Sequence, residues 1–124
     1  MTGAVVVVLA DDLIWSTRLV TQLRAAGASP IAVRDAGAFV GALSGAGRAI
    51  VDLTARAYDG IDAIGLATAA GIPVLAVGQH DDQALRRRAL AAGAERVYAY
   101  RKLFEDGPDT LTRWLAGSAA RKRS

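Results

Sequence analysis

Residues 49–54 read Ala49-Ile50-Val51-Asp52-Leu53-Thr54, an apolar run that leads directly into one carboxylate. Ile50 and Val51 are β-branched, as is common in buried strands. A strand that ends in an aspartate places that aspartate at the carboxyl edge of its sheet, where open α/β sheets bind ligands. The stretch therefore predicts a buried strand with a functional acid, Asp52, at its end.

A second apolar run, residues 5–10, also ends in acids, the pair Asp11-Asp12. Two strands that deliver three carboxylates to one sheet edge predict a site for a cation and a phosphoryl group. An aspartate at the start of a helix is also a common N-cap, so the pair taken alone favours helix capping over a site. The third acid, Asp52, favours the site, because clustered like charges need a reason.

Strand-like runs alternate with helix-like stretches along the chain, which is typical of a parallel sheet with crossover helices. The predicted strands are Ala4–Leu9, Pro30–Val33, Ala49–Leu53, Pro73–Val77 and Arg96–Tyr100. The predicted helices begin at Asp12, at Asp35, near Gly60, at Asp81 or Asp82, and at Pro108.

This alternation predicts an α/β fold, a doubly wound five-stranded parallel sheet, (βα)5 and flavodoxin-like, of order 2-1-3-4-5. Strands one and three are neighbours in that order. Asp11, Asp12 and Asp52 are therefore expected to converge.

The composition fits one globular domain of 124 residues, with 52% hydrophobic and 22% charged residues. The absence of cysteine excludes disulfides and thiolate metal sites. The apolar runs are far shorter than the ~20 residues that span a bilayer. No basic segment precedes the first apolar run, so we expect no signal peptide and a cytoplasmic protein.

The net charge of +3 comes from the end of the chain, at Arg121, Lys122 and Arg123. Without these three, 12 basic residues (15 − 3) balance 12 acidic ones. We expect a domain over residues 1–117 and a basic tail over residues 118–124. A solvated tail is the favoured interpretation, and contact with nucleic acid is the less favoured one.

Taken in order, these motifs resemble the receiver domains of bacterial response regulators, such as the chemotaxis regulator, over nearly the whole chain. Asp11-Asp12 follow strand one, Asp52-Leu53 end strand three, and Asp59-Gly60 follow seven and eight residues after Asp52. Residues 72–75 (Ile-Pro-Val-Leu) match the usual start of strand four, and residues 92–94 (Ala-Gly-Ala) match the turn before strand five.

The resemblance implies a non-enzymatic domain of two-component phosphorelay signalling, with Asp52 as the phosphoacceptor. It implies Mg²⁺ held by Asp12, Asp52 and the backbone carbonyl of Thr54, with Asp11 holding a metal-bound water. The implied partners are a histidine kinase or phosphotransfer protein, and a downstream protein that binds the face of strand five and the last helix.

Aromatic and apolar residues near strand five support two interpretations. In receivers this region is the output and dimerisation surface, which makes a homodimer one option. Core packing is the alternative. The residues concerned are Tyr98, Tyr100, Leu103, Phe104 and Trp114.

Two parts of the receiver machinery are missing. Gly78 stands where receivers carry the switch Thr or Ser, and Tyr100 and Arg101 stand where they carry Lys and Pro. Lys102 comes two residues late and would serve only if the turn is rebuilt.

Arg56 replaces the Pro that usually follows the phosphoacceptor, and it or His80 is a candidate partial substitute at the pocket mouth. These departures leave two functions open. One is an atypical phosphoaccepting receiver, and the other is a pseudo-receiver that acts as a phosphorylation-independent protein-interaction module.

Overall fold

In the computed structural model the described residues are 3–79 and 81–123, with side chains described as far as Gly117. The five strands are β1 (Val5–Leu9), β2 (Ser29–Val33), β3 (Arg48–Asp52), β4 (Val74–Gly78) and β5 (Arg96–Ala99). The helices are α1 (Leu13–Ala25), α2 (Ala36–Leu43), α3 (Gly60–Ala69), α4 (Gln83–Ala92), α5 (Tyr100–Glu105) and α6 (Asp109–Arg123).

The strands form one parallel sheet in the order β2-β1-β3-β4-β5, which confirms the predicted fold class and strand order. The register across its centre pairs Val8 with Ile50, and Ile50 with Leu75. Strands β1 and β3 are neighbours, so their carboxyl ends, and the acids that follow them, lie side by side.

Alternate residues of the central strands enter two separate cores, because side chains in a strand point to opposite faces. One face packs on α2, α3 and α4, and we name it the α3 side. The other face packs on α1, α5 and α6, and we name it the α1 side. Buried residues of the α3 side include Val7, Leu9, Phe39, Val51, Ile64 and Ala76. Buried residues of the α1 side include Val8, Leu19, Leu23, Ile50, Val77 and Leu103.

Aspartates begin four of the helices as N-caps. The Asp35 carboxylate accepts a hydrogen bond from the Ala38 amide at 2.9 Å, and Asp82 accepts one from the Leu85 amide at 3.0 Å. Asp12 and Asp59 cap α1 and α3 in the same way. The caps predicted at Asp12 and Asp35 are confirmed, and of the two candidates Asp81 and Asp82 it is Asp82 that caps α4. Each cap satisfies amides that have no partner within the helix.

The predicted fifth strand was one residue too long, and a helix after it was missed. Strand β5 ends at Ala99, and Tyr100 begins the short helix α5. Tyr100 and Leu103 lie three residues apart on one helix face and are both buried on the α1 side. The opposite face carries ion pairs of helical spacing, from Arg101 to Glu105 at 3.1 Å and from Lys102 to Asp106 at 3.2 Å.

Helix α6 runs from Asp109 to Arg123 and so continues past residue 117, where the sequence predicts a boundary between domain and tail. The side chains of Arg121, Lys122 and Arg123 lie outside the described residues. No helix among the described residues is both long and apolar enough to cross a membrane.

Position 93 requires glycine, because of both its backbone conformation and the space around it. Its φ of +122° is a conformation that side chains disfavour, and a Cβ there would lie 2.3 Å from Thr68 Oγ1 on α3. We expect Gly93→Ala to lower the free energy of unfolding by about 1–3 kcal/mol. Urea denaturation measures the change.

The matched control is Gly41→Ala in α2, where a Cβ would meet no heavy atom within 4 Å. This substitution is expected to raise the free energy of unfolding by about 0.5–1 kcal/mol, since alanine favours a helix over glycine. Wild-type stability of Gly93→Ala would contradict the packing described for the α3–α4 contact.

Candidate functional site

Asp52 ends the central strand β3 with its carboxylate completely buried. Its side chain points to the α1 side, because it lies two residues after Ile50 in the strand. The Oδ1 atom accepts two hydrogen bonds from Thr54, from the amide at 2.8 Å and from the hydroxyl at 2.7 Å. The sequence expectation that Asp52 lies at the carboxyl edge of the sheet is met by this position.

The second carboxylate oxygen, Asp52 Oδ2, is buried and has no hydrogen-bond partner among the described residues. The hydroxyl of Tyr100 is also buried and also lacks a partner. Burial raises the pKa of Tyr100, and so do the charge of Asp52 and a hydrogen-bond interaction between the two side chains, so the two groups lie close together. The pair does not, however, reach ordinary hydrogen-bond geometry. The pocket therefore contains an acceptor and a donor side by side that interact weakly with each other and have no other partner among the described residues.

Burial raises the pKa of Asp52 above its usual value, because the ionised form is the costly one to desolvate. The two hydrogen bonds from Thr54, and after them an interaction with the Tyr100 hydroxyl, lower the pKa of Asp52 and stabilise the carboxylate. The nearby charge of Asp11 raises the pKa of Asp52 further. The pKa of Asp52 is thus set by its burial and by the few neighbouring groups just named.

Tyr58 joins the ends of the two acid-bearing strands. Its hydroxyl lies 2.7 Å from the backbone carbonyl oxygen of Asp52 and 2.9 Å from that of Leu9. A hydroxyl has one proton, so it shares this donation between the two acceptors. Burial and the charges on Asp52 and Asp11 raise the pKa of Tyr58, which keeps the hydroxyl protonated as a donor.

Asp11 and Asp12 both lie at the site, and each engages one carboxylate oxygen with backbone amides. Asp11 Oδ2 accepts from the amides of Arg56 at 3.0 Å and Ala57 at 3.1 Å, which holds the β3–α3 loop. Asp12 Oδ1 accepts from the amides of Ile14 at 2.9 Å and Trp15 at 3.1 Å. Capping and site placement are therefore compatible for both acids.

The donor set suits a hard cation in kind, since one oxygen each of Asp11, Asp12 and Asp52 has no protein donor among the described hydrogen bonds. In the arrangement seen, however, residues 3–79 and 81–123 contain no cluster of three or more His, Asp or Glu side chains that would hold a metal ion. The oxygens fit Mg²⁺ by their chemistry.

The position of the missing switch hydroxyl, Gly78, faces Leu53. A Cβ at Gly78 would lie 3.4 Å from the Cβ of Leu53, so that side chain fills the adjacent space. Behind both residues lies a cavity of about 370 Å³ between α4 and β5, whose walls include Leu85, Val97 and Lys102. Asp52 does not line it, so the cavity and the acid are separate features.

Neither Lys102 nor Arg56, two candidate substitutes for the missing lysine, contacts Asp52 through its side chain in the described hydrogen bonds and ion pairs. Lys102 lies on the exposed face of α5 and pairs with Asp106. Arg56 contributes its backbone amide, which donates to Asp11. His80 lies outside the described residues. Tyr100 is the residue that stands beside the acid.

Tyr100 is also part of an aromatic stack on the α1 side. Its ring lies 4.2 Å from that of Trp15, centroid to centroid, with an angle of 18° between the planes. Phe104 extends the stack at 5.4 Å from Trp15. The sequence analysis did not identify Trp15 or Tyr58 as site residues. The position of Trp15, three residues after the capping Asp12, was the one local sign available for it.

The aromatic residues near β5 divide between the two interpretations given above. Tyr100, Leu103 and Trp114 are buried and belong to the core, whereas Tyr98 and Phe104 are partly exposed. Core packing therefore accounts for three of the five residues. The output and dimerisation surface stays a prediction for the remaining two.

Comparison with solved structures finds 307 similar chains. A response regulator receiver domain from Clostridium thermocellum superposes with a TM-score of 0.81 at 15% identity, covering 97% of each chain. FixJ from B. japonicum has a TM-score of 0.81 at 26% identity, covering 98% of this chain and 60% of FixJ.

A receiver domain of a sensor histidine kinase from Pseudomonas aeruginosa, with a magnesium ion coordinated in its active site cleft, has a TM-score of 0.76. Its identity is 22%, and the match covers 92% of this chain and 95% of that one. No protein-family model matches the sequence, and no curated protein does. The predicted resemblance to response-regulator receiver domains is thus confirmed at the level of the fold.

The raised pKa of Asp52 gives a prediction about stability and pH. Because the folded protein protonates this acid more readily than the unfolded chain does, ionisation destabilises the fold as pH rises through the folded pKa. Asp52→Asn removes that penalty and can keep both hydrogen bonds from Thr54. We expect the variant to be more stable than wild type at neutral pH, by about 1.4 kcal/mol for each unit of pKa shift.

Urea denaturation of both proteins across a pH series is the measurement. The difference in stability should shrink as pH falls towards the unfolded pKa of aspartate, where Asp52 is protonated in both states. A difference that does not change with pH would contradict a buried acid whose pKa is raised.

The bridge made by Tyr58 predicts that Tyr58→Phe costs about 1–2 kcal/mol of stability, since it removes one shared donor from two buried carbonyls. The control is Tyr98→Phe, which removes a hydroxyl that has no hydrogen bond among the described ones. That change should stay within about 0.5 kcal/mol of wild type in the same denaturation assay. Equal effects of the two substitutions would show that the bridge contributes nothing.

Proposed function

We propose that the protein is an atypical single-domain receiver in two-component phosphorelay signalling, with Asp52 as its phosphoacceptor. One observation carries the proposal. Asp52 presents a carboxylate oxygen with no hydrogen bond of ordinary geometry among the described residues at the end of the central strand, next to the strand that bears Asp11 and Asp12. The fold shared with receiver domains supports the same role.

The arrangement of Thr54 assigns different tasks to the two oxygens of Asp52. Oδ1 is held by the amide and hydroxyl of Thr54, which fixes the orientation of the carboxylate. Oδ2 is then the nucleophile. It forms the new bond to the phosphorus of the donor, and the bond from phosphorus to the donor's nitrogen or oxygen breaks, with the electron pair leaving on the donor atom.

The cation expected at such a site is Mg²⁺, and we propose Asp12, Asp52 and the backbone carbonyl of Thr54 as its ligands, with Asp11 acting through a water. Bound Mg²⁺ would neutralise charge on the transferred phosphoryl group. Asp12 can contribute its second oxygen while the first continues to cap α1. Asp11 can likewise keep its hold on the β3–α3 loop.

Transfer requires an opening of the site, because Asp52 is completely buried in this structure. A phosphoryl donor needs direct contact with Oδ2. The groups around that oxygen must therefore move before or during transfer.

The proposed partners of the protein are a histidine kinase or a phosphotransfer protein, and then a downstream protein that binds the face of β5 and the last helices. The proposed location of the protein is the cytoplasm.

A second candidate function has its own support. The complete burial of Asp52, together with Gly78 and Tyr100 at the two altered positions, favours a pseudo-receiver that binds a partner protein independently of phosphorylation. The two functions differ in whether Asp52 ever carries a phosphoryl group.

The deciding experiment is incubation of the protein with Mg²⁺ and acetyl phosphate, followed by intact-mass measurement and peptide mapping. We expect the mass of one added phosphoryl group on wild type, none on Asp52→Asn, and a strong loss of the adduct when EDTA replaces Mg²⁺. Each result follows from a carboxylate nucleophile that needs charge neutralisation.

The matched control is Asp35→Asn, which makes the same change at the N-cap of α2, away from the site. Asparagine is also a good N-cap, so this variant should fold and form the adduct as wild type does. Wild type without an adduct, or with an adduct at another residue, would reject Asp52 as phosphoacceptor and favour the phosphorylation-independent module.

A further inference from the structure

Two buried polar atoms lie close together on the α1 side, Asp52 Oδ2 and the Tyr100 hydroxyl, and neither makes a hydrogen bond of ordinary geometry among the described residues. Buried polar atoms are rarely left unsatisfied, and such atoms often mark a place where another group binds. The Asp52 residue is completely buried and Tyr100 is 6% exposed. A group added to Oδ2 must therefore take space that the Tyr100 side chain now occupies or borders.

The Tyr100 ring cannot move without affecting Trp15. The two rings stack at 4.2 Å, and Phe104 lies 5.6 Å from Tyr100 on the same stack. The guanidinium of Arg18 lies 5.4 Å from the Trp15 ring and 5.7 Å from the Phe104 ring. Trp15 is partly exposed, so the outer part of the stack has room towards solvent.

Trp15 is tied to the acid site by its backbone as well. Its amide donates to Asp12 Oδ1 at 3.1 Å, as part of the cap of α1. The amide of Trp15 thus contacts Asp12, the candidate cation ligand. The ring of Trp15 contacts Tyr100, which lies beside the candidate phosphoacceptor. Any rearrangement of Asp12 or of Tyr100 changes the surroundings of the Trp15 indole.

We propose that Tyr100 and Trp15 form the element that senses the state of Asp52. A phosphoryl group on Oδ2 displaces the Tyr100 hydroxyl, and the ring that moves with it loses its stack on Trp15. The sensor rests on the proposed phosphorylation of Asp52. It adds the route by which the conformational change at Asp52 reaches the rest of the protein.

On the side of β4 and α4, no comparable side chain among the described residues is available to respond to a phosphoryl group on Asp52. Gly78 has no side chain to contact a phosphoryl group, and Leu53 fills the space beside it. Leu53 and Gly78 border the α4–β5 cavity, whereas Asp52 and Tyr100 belong to the α1 side. The change at Asp52 is therefore transmitted to α1 and α5.

Trp15 itself provides the measurement. The chain has two tryptophans, so Trp114→Phe leaves Trp15 as the single indole fluorophore. This protein is treated with Mg²⁺ and beryllofluoride, a mimic of the phosphoryl group, and Trp15 emission and its quenching by acrylamide are recorded. We expect a red shift and stronger quenching on treatment, since an unstacked indole is more exposed to water.

Binding of the mimic is measured separately by fluorine NMR, so that the two proposals fail differently. No bound mimic on the parent protein, with no adduct in the mass experiment, overturns the proposed function. A bound mimic with unchanged Trp15 emission and quenching overturns the sensor and leaves the phosphoacceptor standing. Asp52→Asn in the same background should abolish both signals.

Two matched substitutions test the role of the hydroxyl. Tyr100→Phe keeps the stacking ring and removes the atom that faces Asp52, so the mimic should still bind while the Trp15 response is lost or reduced. Tyr98→Phe, two residues earlier on β5, should bind the mimic and respond fully. An equal Trp15 response in both variants would overturn the sensor, and thermal unfolding of each variant establishes that the comparison is between folded proteins.

Discussion

The burial of one carboxylate at the end of the central strand is the constraint on which the carboxyl edge of the sheet depends. A buried ionised group is costly unless it receives hydrogen bonds or the opposite charge. Thr54 supplies two donors to one oxygen of Asp52, and Tyr58 binds the backbone carbonyl of the same residue. The other oxygen has no donor of ordinary hydrogen-bond geometry among the described residues, so part of the cost of burying this carboxylate remains.

The sheet and its acids are predictable from sequence because the signals are local and repeated. Strands buried on both faces are continuous apolar runs, as in residues 5–9 and 74–77. Three of the four aspartates that cap a helix are recognised from their positions before an apolar-periodic stretch, and Asp59 is the exception. The adjacency of β1 and β3 then follows from the usual winding of such sheets, and it brings Asp11 and Asp12 to Asp52.

The parts that could not be predicted depend on contacts between distant residues. Ile14 has the spacing of a core residue on α1 but is 66% exposed, because the helix turns Leu19 and Leu23 to the sheet instead. Tyr100 fits a strand by composition, yet it begins a helix because Leu103, three residues later, is buried beside it. The hydrophobic pattern within α1 does not predict the exposure of Ile14, and the pattern within α5 does not predict that Tyr100 begins a helix.

The role of Tyr58 is of the same kind. Its hydroxyl reaches carbonyls of residues 9 and 52, and nothing in residues 55–59 identifies those acceptors. Asp11 was identified from the sequence as a site residue, but its hydrogen-bond partners could not be predicted. Its position predicted a site acid, but its contacts with the amides of Arg56 and Ala57 appear only when the loop is folded against it.

Folding and the proposed cation binding involve the same residues but different oxygen atoms. The cap made by Asp12 Oδ1 stabilises α1 by about 1 kcal/mol, and Asp12 Oδ2 remains available. A cation bound at Oδ2 does not have to remove the cap, although it does hold the carboxylate in one orientation. Because the cap includes the amide of Trp15, that orientation is passed to the first turn of α1. The amino end of α1 is therefore mechanically part of the acid site.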